Sequence, residues 1–517
     1  MQSFPWLTTI GLVPLVGAGV VFALPGEARR LSRHVALGVS LVTLGLVLAM
    51  AMQFDVGEAG THQFLETAEW IPQLGVTYAL GVDGIGLVMV ALSAVLVPVC
   101  ILASWTLDTL PEPLSDSRAR NFFGLVLVLE TMMIGVFAAR DVFLFYVFFE
   151  AILIPMYFLI GSFGGERARY AAVKFLLYSL FGGLLMLVAV IGLYVAGPGG
   201  PDGFLTENLT GAELDTTLGR WLFAGFFVAF AIKAPMWPVH TWLPDSAAQS
   251  SSGVAVLLVG VLDKIGTFGM ITLCLPLFPE ASRWAAPVVI ALAVVSILYG
   301  ALLAIGQTDI KRLIAYTSIS HFGFIVMGIF AMTSSAQAGS VLYMINHGFT
   351  TAALFLVAGM FISRRGSALI GDYGGLQKVT PLLAGSFLVA GLSSLSLPGL
   401  SSFISEFLVL VGTFSRYQLA AVLGIIGIIL AAVYILWMYQ RMMTGPTRAT
   451  TSALPDMKAR EAWVMAPLLA VIVFLGFFPK PVLDVIDPAV TRTMSEIGMT
   501  DPAPLVDAAG TDEGNDQ

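Results

Sequence analysis

Long apolar runs follow one another along almost the whole of this 517-residue chain, separated by short polar connections. No other feature constrains the fold as tightly. In hydrocarbon each backbone N–H and C=O must be satisfied within its own segment, so runs of about 20 apolar residues become membrane-spanning helices. Hydrophobic residues make up 57% of the chain and charged residues 11%, against roughly 25% charged in soluble domains. An ordinary globular enzyme is therefore excluded. The net charge of −8 and the lack of a basic run argue against nucleic acid as a partner. Both cysteines, Cys100 and Cys274, lie inside apolar runs, and no CxxC pair, GxGxxG fingerprint or P-loop occurs. The chain is thus expected to hold no metal, iron–sulfur cluster or nucleotide of its own.

Hydropathy predicts an all-α polytopic protein of fourteen helices, at 5–24, 33–53, 82–105, 120–139, 142–162, 170–196, 220–241, 247–276, 284–305, 310–330, 338–362, 380–413, 418–441 and 462–482. The first lacks a basic leader and a small-residue cleavage site, so it reads as a retained helix. Segments 54–81 and 197–219 are expected to be extramembrane connections, and the acidic tail 501–517 is expected to be disordered. Of the 25 basic residues, Arg140, Arg220, Arg283, Arg416, Lys480 and Arg492 fall on one side, and Lys174, Lys233 and Lys264 fall within helices. The others lie on the opposite side. The positive-inside rule makes that richer side cytoplasmic and both termini extracytoplasmic. Lys174, close to the cytoplasmic start of its helix, is expected to snorkel.

Two spans are irregular. The run FAIKAPMWPVHTWLP places Pro235, Pro238 and Pro244 in an apolar stretch, and an interior proline costs a helix about 3 kcal/mol. The span 380–413 is too long for one straight crossing and contains Pro398–Gly399. Backbone can be interrupted at membrane depth only where protein buries it or a hydrated cavity meets it. Each break therefore points to an interior polar path.

Four ionisable residues lie deep in these spans: Glu150, Lys233, Lys264 and Glu406. Each would cost about 2.5–3.5 kcal/mol at a helix centre, so each must face another polar group or water. His240, His321 and His347 fall in or beside spans as well, and imidazole changes charge near neutral pH. A static Glu150–Lys233 ion pair, a local Asp263 partner for Lys264, and satisfied interior histidines are the structural alternatives. A bis-histidine haem is a weaker one.

The segments KAPMWPVHTWLPD, DIKRLIAYTSISHFGFI, INHGFTTAALFL and FISEFL resemble, in the same order, signatures of the antiporter-like subunits of proton-pumping NADH:quinone oxidoreductase, respiratory complex I. The resemblance implies two inverted five-helix repeats, here 120–276 and 284–441, each containing a discontinuous helix. It leaves 1–119 as an N-terminal unit with an extracytoplasmic loop and 442–500 as a final helix with its flanks. It also implies that Glu150, Lys233, Lys264, His321, His347 and Glu406 carry protons, with His240 a further candidate. A glutamate at 406 is similar to the M-type subunit, whereas lysine is usual in the L- and N-types and in the antiporters. The resemblance further implies a bacterial inner-membrane location and L- and N-type neighbours. NADH, FMN, iron–sulfur clusters and quinone would all reside in partner subunits. The rival is the large subunit of a multisubunit cation/proton antiporter. One departure stands out: residues 246–252 read SAAQSSS, where many relatives carry an Ala-His pair and an Ala-Pro-Thr run.

Overall fold

The protein's structure, a computed structural model, describes residues 4–25, 29–105 and 116–503. Most of the acidic tail lies outside the described residues. In chain order the principal helices are α1 (Trp6–Ala23), α2 (Leu31–Ala51), α3 (Gly84–Ala103), α4 (Ser117–Ala138), α5 (Val142–Phe163), α6 (Ala168–Ala196), α7 (Thr216–Lys233), α8 (Trp242–Gln249), α9 (Ser252–Leu277), α10 (Pro279–Ile305), α11 (Ile310–Ala331), α12 (Ser334–Arg365), α13 (Pro381–Ser394), α14 (Ser401–Phe414), α15 (Gln418–Met443), α16 (Ala459–Phe477) and α17 (Lys480–Glu496). Twelve of the described helices are long and apolar enough to cross a membrane. The pairs α7/α8 and α13/α14 are the two interrupted spans.

Both breaks sit where the proline pattern puts them, and the freed backbone groups find partners. Helix α7 stops at Lys233, eight residues short of the predicted end, because Pro235 and Pro238 cannot continue the hydrogen-bond ladder. The Trp242 indole N–H donates to the Ile232 carbonyl (2.9 Å), and the Trp237 amide donates to Ser296 Oγ (2.8 Å). In the second break Gly399 adopts φ +91°, a conformation that costs glycine nothing. Asn346 Nδ2 of α12 donates across to the Ser401 carbonyl at the start of α14 (2.7 Å).

Ion pairs and loop hydrogen bonds sort the connections into two faces. On one, the Leu7 amide donates to Glu66, Arg492 pairs with Asp83, Arg283 donates to the Ile497 carbonyl, and the Ser334 amide donates to Asp501. On the other, Arg120 donates to the Leu24 carbonyl, Lys311 to the Ser250 carbonyl, and Arg364 to Glu461. Both ends of the described chain lie on the first face, as an even number of crossings requires. The outer helices α6, α10 and α15 expose leucine, isoleucine and valine, including Leu177, Val188, Leu302 and Ile429. Helix α9 is wholly buried in its apolar window, and α11 and α12 nearly so. The ionisable residues gather along these inner helices.

Two segments carry more regular structure than hydropathy shows, and one expectation needs correction. Segment 54–81 carries regular structure: β1 (Gln63–Ile71) and β2 (Val76–Val82) form an antiparallel hairpin on the first face. The flank after 482 continues as α17, which lays Ile486, Ala489, Val490 and Met494 against α3 and α12. Its amphipathic pattern was too polar for a hydropathy window. Lys174 does not snorkel freely, since it pairs with Asp245 (2.8 Å), which also pairs with Arg312 (2.6 Å).

Candidate functional site

Helix α5 carries Glu150 immediately before a discontinuity at Ile152, where Pro155 removes an amide from the ladder. Its carboxylate rests on the bare backbone of Gly183 in α6; a Cβ there would lie 1.6 Å from Oε1. Lys233, the last residue of α7, is 1% exposed, and its Nζ stands 4.6 Å from the Phe149 ring centroid and 5.8 Å from that of Phe175. Among the described residues neither Glu150 Oε1 nor Lys233 Nζ makes a hydrogen bond. The two are therefore not hydrogen-bonded to each other, although each lies in the other's field. Burying an ammonium costs about 2.5–3.5 kcal/mol and a desolvated cation–π contact returns about 2, so the rings offset part of that cost and the fields of Glu150 and Asp263 act on the remainder.

Lys264 sits between two π-helical segments of α9, Leu258–Leu262 and Met270–Cys274, which widen the helix and free carbonyls as functional sites often require. Its Nζ donates to the Val259 carbonyl and lies 2.7 Å from His347 Nδ1. Either the ammonium donates to Nδ1 or an Nδ1–H donates to the amine, so one geometry accommodates the proton on either partner. The His347 and His321 rings meet at 90° with centroids 5.3 Å apart, and the Tyr343 ring lies 5.7 Å beyond His321. The Tyr343 hydroxyl donates to Glu406 Oε1 at 3.4 Å. Lys264, His347, His321, Tyr343 and Glu406 thus form a buried row, hydrogen-bonded at both ends and joined in the middle by ring contacts, where His347 Nε2 and His321 Nδ1 have no hydrogen-bond partner among the described residues. His240 stays apart, in the first break against Tyr299.

Sequence reasoning passed over two members of this interior. Tyr343 lies one helical turn before His347, a spacing that places both on one face. Glu130 is fully buried in α4 with both carboxylate oxygens free of hydrogen bonds; a lone carboxylate in an apolar span was its signal. Asp263 is buried in the same way. On the hairpin face a cavity of about 340 Å³ is lined by His62, Asp83, Arg140, Glu207, Arg492 and Glu496, and reaches Phe145 of α5 and Phe268 of α9. Burial in this wall lowers the His62 imidazole. Among the described residues no three His, Cys, Asp or Glu side chains gather to hold a metal.

The sequence pattern of the NADH:quinone oxidoreductase/Mrp antiporter transmembrane family matches residues 139–433. The chain belongs to this family. Within it, the chain is 50% identical to NADH-quinone oxidoreductase subunit M of Mycobacterium tuberculosis (strain H37Rv), over 98% of this chain and 97% of that one. It is 39% identical to subunit M of Rhodobacter capsulatus, over 94% and 96%. Its structure is similar to a chain of respiratory complex I from Thermus thermophilus, with a TM-score of 0.85 and 31% identity over 95% of this chain and all of that one. The Mrp complex from Dietzia gives a TM-score of 0.84 at 21% identity, over 96% of this chain and 100% of that one, a likeness of fold alone. The M-type resemblance read from Glu406 therefore stands, and this member of the family is a multi-pass membrane protein.

Proposed function

We propose that the chain is the M-type subunit of a proton-translocating NADH:quinone oxidoreductase, moving protons through the Glu150, Lys233, Lys264, His347, His321 and Glu406 chain. The observation that carries this reading is the buried row from Lys264 to Glu406, approached by a Lys233 ammonium with no fixed partner. Displacing the Glu150 carboxylate changes the field at Lys233, to which Glu150 and Asp263 both contribute. A moving charge at one end of the row thereby alters where protons rest along it. The two interrupted helices support inverted repeats at 120–276 and 284–441, and so do the matching bridges Asp141–Leu205 and Asp309–Leu369 on opposite faces.

The hairpin face is extracytoplasmic in this reading, with both termini there, in a bacterial cell membrane. The polar cavity under the hairpin then offers a hydrated approach towards α5 and α9. Neighbouring L- and N-type subunits flank the chain, and NADH, FMN, iron–sulfur clusters and quinone lie elsewhere in the complex.

Inverted membrane vesicles energised with NADH and read by acridine-dye quenching test the reading. Glu406→Gln keeps the volume and hydrogen-bonding capacity but cannot carry the exchanged proton; it is expected to lower the quench rate about 100-fold, the usual cost of losing a positioned proton-transfer group. Wild-type quenching at normal complex content would overturn the role of Glu406. Gly183→Ala tests the other end. Its Cβ would drive the Glu150 carboxylate from its seat, so quenching is expected to fall several-fold in an assembled complex. An unaltered rate would show that the seat is not used.

A further inference from the structure

Helix α9 touches both halves of the site, through different faces. Towards α7 it presents Gly266, where a Cβ would lie 2.5 Å from the Phe230 carbonyl oxygen and 2.6 Å from the Ala234 amide nitrogen. These atoms bracket Lys233 in the chain. Residues three apart share a helix face, so Asp263 lies on the face that Gly266 presses against the end of α7. Towards α12 the same helix presents Lys264, through its contact with His347. Asp263 and Lys264 are adjacent in sequence and point about 100° apart, one to each half.

Asp263 is fully buried, and neither of its carboxylate oxygens makes a hydrogen bond. A buried carboxylate kept only for structure is expected to be hydrogen-bonded or paired. The charged groups whose fields reach it are Lys264 and Lys233. These are the two lysines between which the row from Lys264 to Glu406 otherwise has no link.

We infer that Asp263 is the proton carrier between Lys233 and Lys264, a carboxylate that competes with Glu150 for the Lys233 ammonium. The proposal rests on the translocation reading above. When Glu150 is drawn away, a proton leaves the Lys233 ammonium for an Asp263 carboxylate oxygen, giving a neutral amine and a neutral acid. That acid then releases its proton to the neutral Lys264 amine, restoring the carboxylate and forming an ammonium beside His347. One proton moves and total charge is conserved at each step.

The test uses the whole complex in inverted vesicles, with protons moved per NADH oxidised scored against complex content on native gels. Asp263→Asn preserves shape, Asp263→Leu fills the site with apolar volume, and Asp263→Glu keeps the carboxyl. The expected result is assembled complex in all three, translocation lowered about 100-fold in Asn and Leu, and recovery in Glu. A wild-type ratio in an assembled Asn or Leu variant overturns the proposal. Loss of the complex in both would assign the carboxylate to folding and equally overturn it. Lys233→Met, run in parallel, separates the two failures: if it loses translocation while Asp263→Asn keeps it, the relay reading survives without Asp263. If Lys233→Met also pumps normally, the relay reading itself fails.

Discussion

Replacing Lys233 with methionine is expected to abolish proton translocation while the assembled complex persists. The methionine fills the space of the lysine stem between Phe149 and Phe175 and removes an ammonium that makes no hydrogen bond. The lost cation–π contact of about 2 kcal/mol and the relieved burial cost of about 2.5–3.5 kcal/mol nearly cancel, so stability changes little. Translocation behaves differently, because no other side chain at the end of α7 can take up and release a proton. The acridine-dye signal is expected to fall by about 100-fold or to background. Arginine does not rescue it, since its guanidinium stays protonated throughout. Normal quenching by either variant, at normal complex content, would remove Lys233 from the path.

Lys264→Met is expected to lose translocation as completely but to weaken the fold as well. The Lys264 Nζ satisfies the Val259 carbonyl and His347 Nδ1 inside a fully buried helix. Removing it leaves two buried polar atoms without their partner, at about 1–3 kcal/mol for each unsatisfied group. The thermal midpoint of the complex should therefore drop in Lys264→Met and hold in Lys233→Met, while dye quenching is lost in both. Equal midpoints would mean that water or a rotated His347 replaces the ammonium, and that the row is looser than its geometry indicates.

The opposite stability effects of these two lysines are invisible in the sequence, where both are lone basic residues in apolar spans. The sequence by itself determined the polytopic helical class and the places where two helices break. Each follows from local chemistry: apolar run length and proline's missing amide. It also marked Glu150, Lys233, Lys264, His321, His347 and Glu406, because a charge or imidazole in hydrocarbon is costly wherever it points. Only the tertiary structure decided which of these groups touch. It left Glu150 and Lys233 without a hydrogen bond between them, joined Lys264 to His347, and inserted Tyr343 between His321 and Glu406. Those outcomes depend on helix rotation and on close backbone approaches such as Gly266 against Phe230, set by packing between segments distant in the chain. The hairpin at 63–82 and the helix Lys480–Glu496 belong to the same category, for each acquires its buried side only when the rest of the bundle supplies it.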